Sequence, residues 1–243
     1  MLELQNINFK RDNKNILDDI SLKIDDKKFI VITGPNGGGK STLAKIIMGI
    51  EKPDSGKIFL NGKNITNMSI TERAKNGIGF AFQHSVKFKG ITVRDLINLS
   101  LGRKVEFTKA CEYLSSVGLC ARDYINREIN SSLSGGELKR IEIATVVARK
   151  ADLTIFDEPE AGIDLWSFNN LIEVFENMYK EITGSIVIIS HQERILNIAD
   201  EIILIQNGKI AGIGNKEEMM PKILNGTKIC GFLKKENSYE ECN

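Results

Sequence analysis

The sequence predicts an α/β fold with a mixed sheet core and an inserted helical segment. Three observations carry that expectation. Strand and helix patterns alternate along much of the chain. A glycine-rich turn, GPNGGGKST, stands between a short apolar run and a helical pattern. Between about residues 84 and 150 the apolar period changes from two to three-and-four, and the strand signal returns afterwards.

The elements follow in order. LELQNINF and ILDDISLKI place apolar side chains at every second position around the turn-like RDNKN, as paired strands do. KFIVIT, Lys28 to Thr33, is uniformly apolar in its middle and reads as a strand buried on both faces. STLAKIIMGI reads as a helix, KIFLNGKNI as a hairpin about Asn61-Gly62, and GIGFAF as a further buried strand. ITVRDLINLSLG, TKACEYLSSVGL and ELKRIEIATVVARKA form the helical insertion. ADLTIFDE and GSIVIIS are strands, with the amphipathic LWSFNNLIEVFENMYKEI between them, and EIILIQNGKIAGIG is a hairpin about Asn207-Gly208. After Pro221 the pattern is less regular, and KKENSYEECN is expected to fray.

Composition narrows the function classes. With 243 residues and a net charge of +1, the chain carries no basic excess of the kind nucleic acid requires. The four cysteines, at 111, 120, 230 and 242, have no CxxC pair and read as reduced thiols of a cytoplasmic protein. The start MLELQNINFK does not read as a secretion signal. No apolar run approaches the roughly 20 residues of a membrane-crossing helix, so no direct membrane insertion is expected.

The chemistry concentrates in three stretches. Gly34, Pro35, Asn36, Gly37, Gly38, Gly39, Lys40, Ser41 and Thr42 fit G-x-x-x-x-G-K-[ST] between a strand and a helix. Glycines let backbone N–H groups turn toward phosphate oxygens, and the helix start adds its positive end. Lys40 supplies a charge for the β- and γ-phosphates, and Ser41 an oxygen for Mg²⁺. In LTIFDE, Asp157 stands at a strand's carboxyl end, where it suits Mg²⁺, and Glu158 follows, placed to orient or deprotonate a water. In LSGGE, Ser134 can cap a helix while Gly135 and Gly136 bare its first N–H groups. That is a second anion site, and it suggests a clamp supplied from another subunit.

Together these residues resemble the ATP-binding cassette (ABC) ATPases, P-loop NTPases, over nearly the whole of 1–243. GPNGGGKST is similar to the Walker A loop, LSGGE (Leu133 to Glu137) to the signature and LTIFDE to the Walker B strand. Gln83 resembles the Q-loop glutamine, Asp164 in Ala-Gly-Ile-Asp the D-loop acid, and His191 the switch histidine. The resemblance implies an ATPase that binds ATP and Mg²⁺ in a head-to-tail homodimer, with each ATP between Lys40 of one subunit and Ser134 of the other. It implies that Ser41, Gln83 and Asp157 serve the metal, Glu158 and His191 the attacking water, and Asp164 the dimer seam. It divides the chain into a core, a helical subdomain at 84–150 bearing the signature, and a tail at 221–243. Where the family commonly stacks an aromatic on adenine, this chain has Arg11, with Phe9 two residues earlier.

A narrower resemblance rests on FAFQHSVKFKGIT, SHQERIL and SGGELKR, which are similar to the ATPase subunit of SUF iron–sulfur assembly, the SufC type. It implies a soluble scaffold partner of the SufB/SufD kind. The alternative is the nucleotide-binding subunit of a membrane transporter.

Overall fold

Residues 1–130, 132–180 and 184–227 are described by the structure, a computed structural model. The elements run β1 (Leu2–Arg11), β2 (Lys14–Ile24), β3 (Phe29–Thr33), α1 (Lys40–Met48), β4 (Ser55–Leu60), β5 (Lys63–Asn64), α2 (Ile70–Lys75) and β6 (Ile78–Ala81). Four helices follow before the next strand: α3 (Val93–Leu101), α4 (Phe107–Ser116), α5 (Ala121–Tyr124) and α6 (Gly135–Ala148). The chain continues through β7 (Leu153–Asp157), α7 (Leu165–Lys180), β8 (Ser185–Ile189), α8 (Glu193–Asn197), β9 (Glu201–Gln206), β10 (Lys209–Gly214) and α9 (Lys216–Thr227).

Two sheets form. A four-stranded antiparallel sheet has the order β2-β1-β4-β5, and a six-stranded sheet the order β10-β9-β3-β8-β7-β6. Within the larger sheet β6, β7, β8, β3 and β9 are parallel, and β10 turns back antiparallel on β9. The α/β architecture with a mixed sheet therefore stands as the sequence predicts.

β3 shows why its run is apolar throughout. Phe29 and Val31 enter one hydrophobic cluster with α6 and α7, while Ile30 and Ile32 enter a second with α1 and the antiparallel sheet. Alternate side chains of a strand face opposite ways, so a strand covered on both faces has no polar side. The four inserted helices share the first cluster: Val93, Leu114, Leu138 and Ile141 pack in the same cluster as Phe156 and Phe175.

The C-terminal region differs from the expectation. α9 runs through Pro221, because Asn215 sets the helix before the proline is reached. Its backbone carbonyl accepts the Met219 N–H at 3.0 Å, its side chain accepts the Glu218 N–H at 3.0 Å, and Met219 is fully buried. Pro221 stands inside α9, in its second turn, where it forfeits one hydrogen bond, to the Glu217 carbonyl, and the helix continues to Thr227. The stretch KKENSYEECN, with Cys242, and Cys230 before it, lies outside the described residues.

One arginine of α2 is buried in the fold. Arg73 is 1% exposed and donates to the carbonyls of Ile46, Ile47, Thr66 and Met68 at 2.6–3.1 Å. It thereby closes the carboxyl end of α1, whose last carbonyls have no partner in the helix itself.

Candidate functional site

The site is built on the turn from β3 to α1. Gly34 has φ 139°, and a Cβ there would lie 1.9 Å from the Ile205 carbonyl oxygen on β9. Gly39 has φ 105°, and its Cβ would lie 2.7 Å from Leu17 and 2.8 Å from the Ile16 oxygen. Only glycine fits either position, since the backbone is left-handed and neighbouring chain touches it. The loop is thus pressed against β2 and β9, with its open side toward a cavity of about 380 Å³.

Residues 36–42, Ile16, Gln83 and Glu158 line that cavity. Lys40 is 5% exposed, and its ammonium donates to the Gly34 and Pro35 carbonyls at 2.8 and 3.0 Å. Burial pushes Lys40 below the ordinary lysine value, while Glu158 and Asp157 pull it back up. The Ser41 hydroxyl donates to Asp157 Oδ1 at 3.0 Å. Burial pushes Asp157 above the ordinary carboxylate range, against the Ser41 hydrogen bond and with the repulsion of Glu158. Hydroxyl, amide and carboxylate oxygens meeting beside a phosphate-shaped loop are the donor set that fits Mg²⁺.

Glu158 follows β7 in a left-handed conformation, φ 44°, with its N–H on the Ile189 carbonyl at 3.0 Å. That turn aims its carboxylate back at the site. Gln83 Nε2 donates to Glu158 Oε2 at 2.6 Å, and His191 Nε2 lies 3.9 Å from Oε1. Burial pushes the His191 imidazole below its ordinary value and Lys40 adds to the shift, against the attraction of Glu158. A neutral imidazole follows at neutral pH, with one nitrogen to donate and one to accept.

Among the sequence-predicted residues, Lys40, Ser41, Gln83 and Glu158 share the cavity. Asp157 is tied to Ser41 and His191 faces Glu158. Ser134, Gly135, Gly136, Glu137 and Asp164 do not line it. They stand at the start of α6 and at the turn before α7, where a Cβ on Gly135 would lie 3.9 Å from the Gly162 oxygen. Ser134 and Glu137 form a capping box, and the Glu137 carboxylate also accepts from Tyr124. These contacts lower the Glu137 carboxyl from its ordinary value, the Tyr124 hydrogen bond foremost.

Phe9 is 7% exposed and packed in the core, so it is not a base-stacking surface. Arg11 lies 5.7 Å over its ring and pairs with Glu51, and the side chain that reaches the cavity is Ile16. Sequence reasoning missed Ile16, which reads only as an inward position of β2. It also missed Glu160, whose Oε1 accepts from the Ser190 hydroxyl while Oε2 is buried with no hydrogen-bond partner among the described residues.

Comparison with known proteins gives one consistent grouping. The family model described as "ABC transporter" matches residues 17–161. An uncharacterized ABC transporter ATP-binding protein of Methanocaldococcus jannaschii is 37% identical over 227 residues, 90% of each chain. A sulfate/thiosulfate import ATP-binding protein, CysA, of Synechocystis is 35% identical over 84% of this chain, which spans 57% of the relative's length. A spermidine/putrescine import ATP-binding protein, PotA, of Mesoplasma florum is 33% identical over 90% of this chain and 63% of its own. Among solved structures, a dimeric ATP-binding cassette bound to ADP and Pi superposes with a TM-score of 0.77 at 24% identity, over 89% of this chain and 99% of that one.

Proposed function

The chain belongs to the ABC transporter family and is an ABC ATPase; from that premise we propose that it serves as the nucleotide-binding subunit of a membrane transporter. The observation that carries this reading is the convergence of the Gly34–Thr42 loop, Gln83 and Glu158 on one cavity, in a chain whose relatives CysA and PotA are named as import proteins. The two named cargoes, an oxyanion and a polycation, have opposite charge. A cassette of this kind therefore does not select the cargo, and the partner does.

In this reading the loop amides and Lys40 hold the triphosphate. Lys40 leaves the two loop carbonyls for phosphate oxygens, a stronger pairing because the acceptor is charged. Ser41, Asp157 and Gln83 would hold Mg²⁺, which would supply positive charge beside the phosphates. Glu158 orients and deprotonates the attacking water, with Gln83 donating to its Oε2 and His191 facing its Oε1 across room for that water. Ser134 and the bare N–H groups at Gly135 and Gly136 take the γ-phosphate bound by a second copy, and Asp164 crosses the seam between the copies. Nucleotide closes that seam, so the chain is monomeric without it and cytoplasmic beside its partner.

The partner docks on the groove of about 170 Å³ beside the Gln83 loop, where Phe82, Val86 and Phe88 are exposed. A second reading, an iron–sulfur assembly ATPase of the SufC type acting on a SufB/SufD-like scaffold, is supported by the short stretches FAFQHSVKFKGIT, SHQERIL and SGGELKR alone. Purification from the source cell in mild detergent, with mass spectrometry of what remains bound, separates the two. A polytopic membrane protein is the expected companion; a soluble cysteine-bearing scaffold in its place would overturn the transport reading.

A further inference from the structure

The segment that carries Gln83 is gripped from α6 on both sides. Where the chain leaves β6, the Phe82 N–H donates to Glu142 Oε1 at 2.7 Å and the Phe82 carbonyl accepts from the Lys139 ammonium. Beyond Gln83, the Ser85 hydroxyl donates to Glu142 Oε2 at 2.8 Å. Lys139 and Glu142 stand three apart on one face of α6, with Nζ and Oε2 3.4 Å apart. Gln83 lies between the two gripped residues, and its amide is left to meet Glu158 at 2.6 Å.

The Lys139 side chain is 2% exposed. A buried ammonium costs free energy unless acceptors surround it, and replacing it by an apolar side chain would fill the same space. Burial pushes it below the ordinary lysine value, while Glu142, Asp157 and Glu160 draw it back up. The charge is kept where it touches the backbone next to Gln83. The same helix begins at the Ser134 cap, little more than one turn before Lys139.

We propose that Lys139 and Glu142 are positioning residues for ATP hydrolysis: together they fix the backbone on either side of Gln83, hold its amide on Glu158, and tie that contact to the helix that begins at Ser134. The proposal rests on the reading that Gln83 and Glu158 face the nucleotide. It adds a link between the two halves of the composite site, because a rigid shift of α6 carries Gln83 with it.

Steady-state hydrolysis of Mg-ATP by the full chain tests this. Glu142→Ala is expected to lower kcat about tenfold with KM changed less than about threefold, since nucleotide contacts stay and only alignment is lost. Glu142→Gln, which keeps an acceptor for the Phe82 N–H, recovers most of the rate. Lys139→Met, which keeps the apolar stem, falls like Glu142→Ala. The deciding measurement is a double-mutant cycle: Glu142→Ala is without further effect in a Gln83→Ala background if it acts through Gln83. Additive losses, or wild-type kcat in both Glu142→Ala and Lys139→Met, would overturn the proposal. Should Glu142→Ala fail to melt cooperatively, Ser85→Ala replaces it, with a loss of about threefold in kcat expected and none overturning the grip. A wild-type chain that does not hydrolyse Mg-ATP would refute the functional reading itself and this proposal with it.

Discussion

Two helices of this molecule begin in glycine runs, and they are built in opposite ways. α1 starts after Gly39 with no side-chain cap, and its first residue, Lys40, is buried against the loop that precedes it. α6 starts after Ser134, whose side chain accepts the Glu137 N–H while the Glu137 carboxylate accepts the Ser134 N–H. The first start is one wall of a cavity and has its cation in place. The second is a satisfied cap outside that cavity, with a hydroxyl proton left to donate. The difference teaches why the proposed head-to-tail pairing needs both starts: one offers a loop with its cation in place, the other a capped start whose hydroxyl can still donate to a second copy's nucleotide.

The largest expected effect breaks the finished half. Lys40→Ala should weaken Mg-ATP binding about a hundredfold, the loss of a charge-assisted contact worth about 3 kcal/mol. Calorimetric titration of the monomer reads it directly. Unchanged affinity would remove Lys40 from the phosphate site.

The next effect sharpens the contrast at α6. Ser134→Gly keeps a residue that caps a helix at a cost of only a few tenths of a kcal/mol, so melting should barely move. The hydroxyl is lost, and ATPase turnover should fall about tenfold while ATP binding to the isolated monomer is unchanged. Equal loss of monomer binding would place Ser134 in its own subunit's site instead of the partner's.

The smallest effect concerns the turn between Glu158 and Asp164. Glu160 is pushed above the ordinary carboxylate range, chiefly by burial and against the hydrogen bond from Ser190. The folded state therefore holds the Glu160 proton more tightly than the unfolded chain does. Stability from this group is fully present below the ordinary carboxylate value and lost as pH rises from there through the raised one. Glu160→Gln removes that loss. Its melting temperature relative to wild type should climb as pH rises from about 4 to 7, by a few degrees at most. A difference that is flat or falls with pH would mean that Glu160 is ionised at no cost.

How much was legible follows the distance along the chain over which each feature is defined. Gly34–Thr42 could be read because nine adjacent residues carry both the turn and the charge, and the flanking strand and helix have strong periods. Asp157 and Glu158 could be read because they end an apolar run. Arg73, Lys139 and Ile16 could not. Arg73 and Lys139 stand in helices among ordinary surface charges, and their burial depends on carbonyls 5–57 residues away. Ile16 is one more inward apolar residue until β2 is laid beside Gly39. The narrower resemblance rests on three short stretches of loop and helix start, where few residues are constrained by fold. The relatives, matched over most of the chain, carry transporter names instead.

The sequence by itself determined the fold class, the phosphate loop, the acid pair and the order of the motifs, because those depend on local period and on residues adjacent in the chain. Only the tertiary structure decided that Gln83 meets Glu158 across 75 residues, that Ser41 meets Asp157 across 116, and that α6 holds the Gln83 segment. The first joins the ends of the paired strands β6 and β7, the second spans β8 between β3 and β7, and the third sets a helix against a loop; no local propensity records which elements become neighbours.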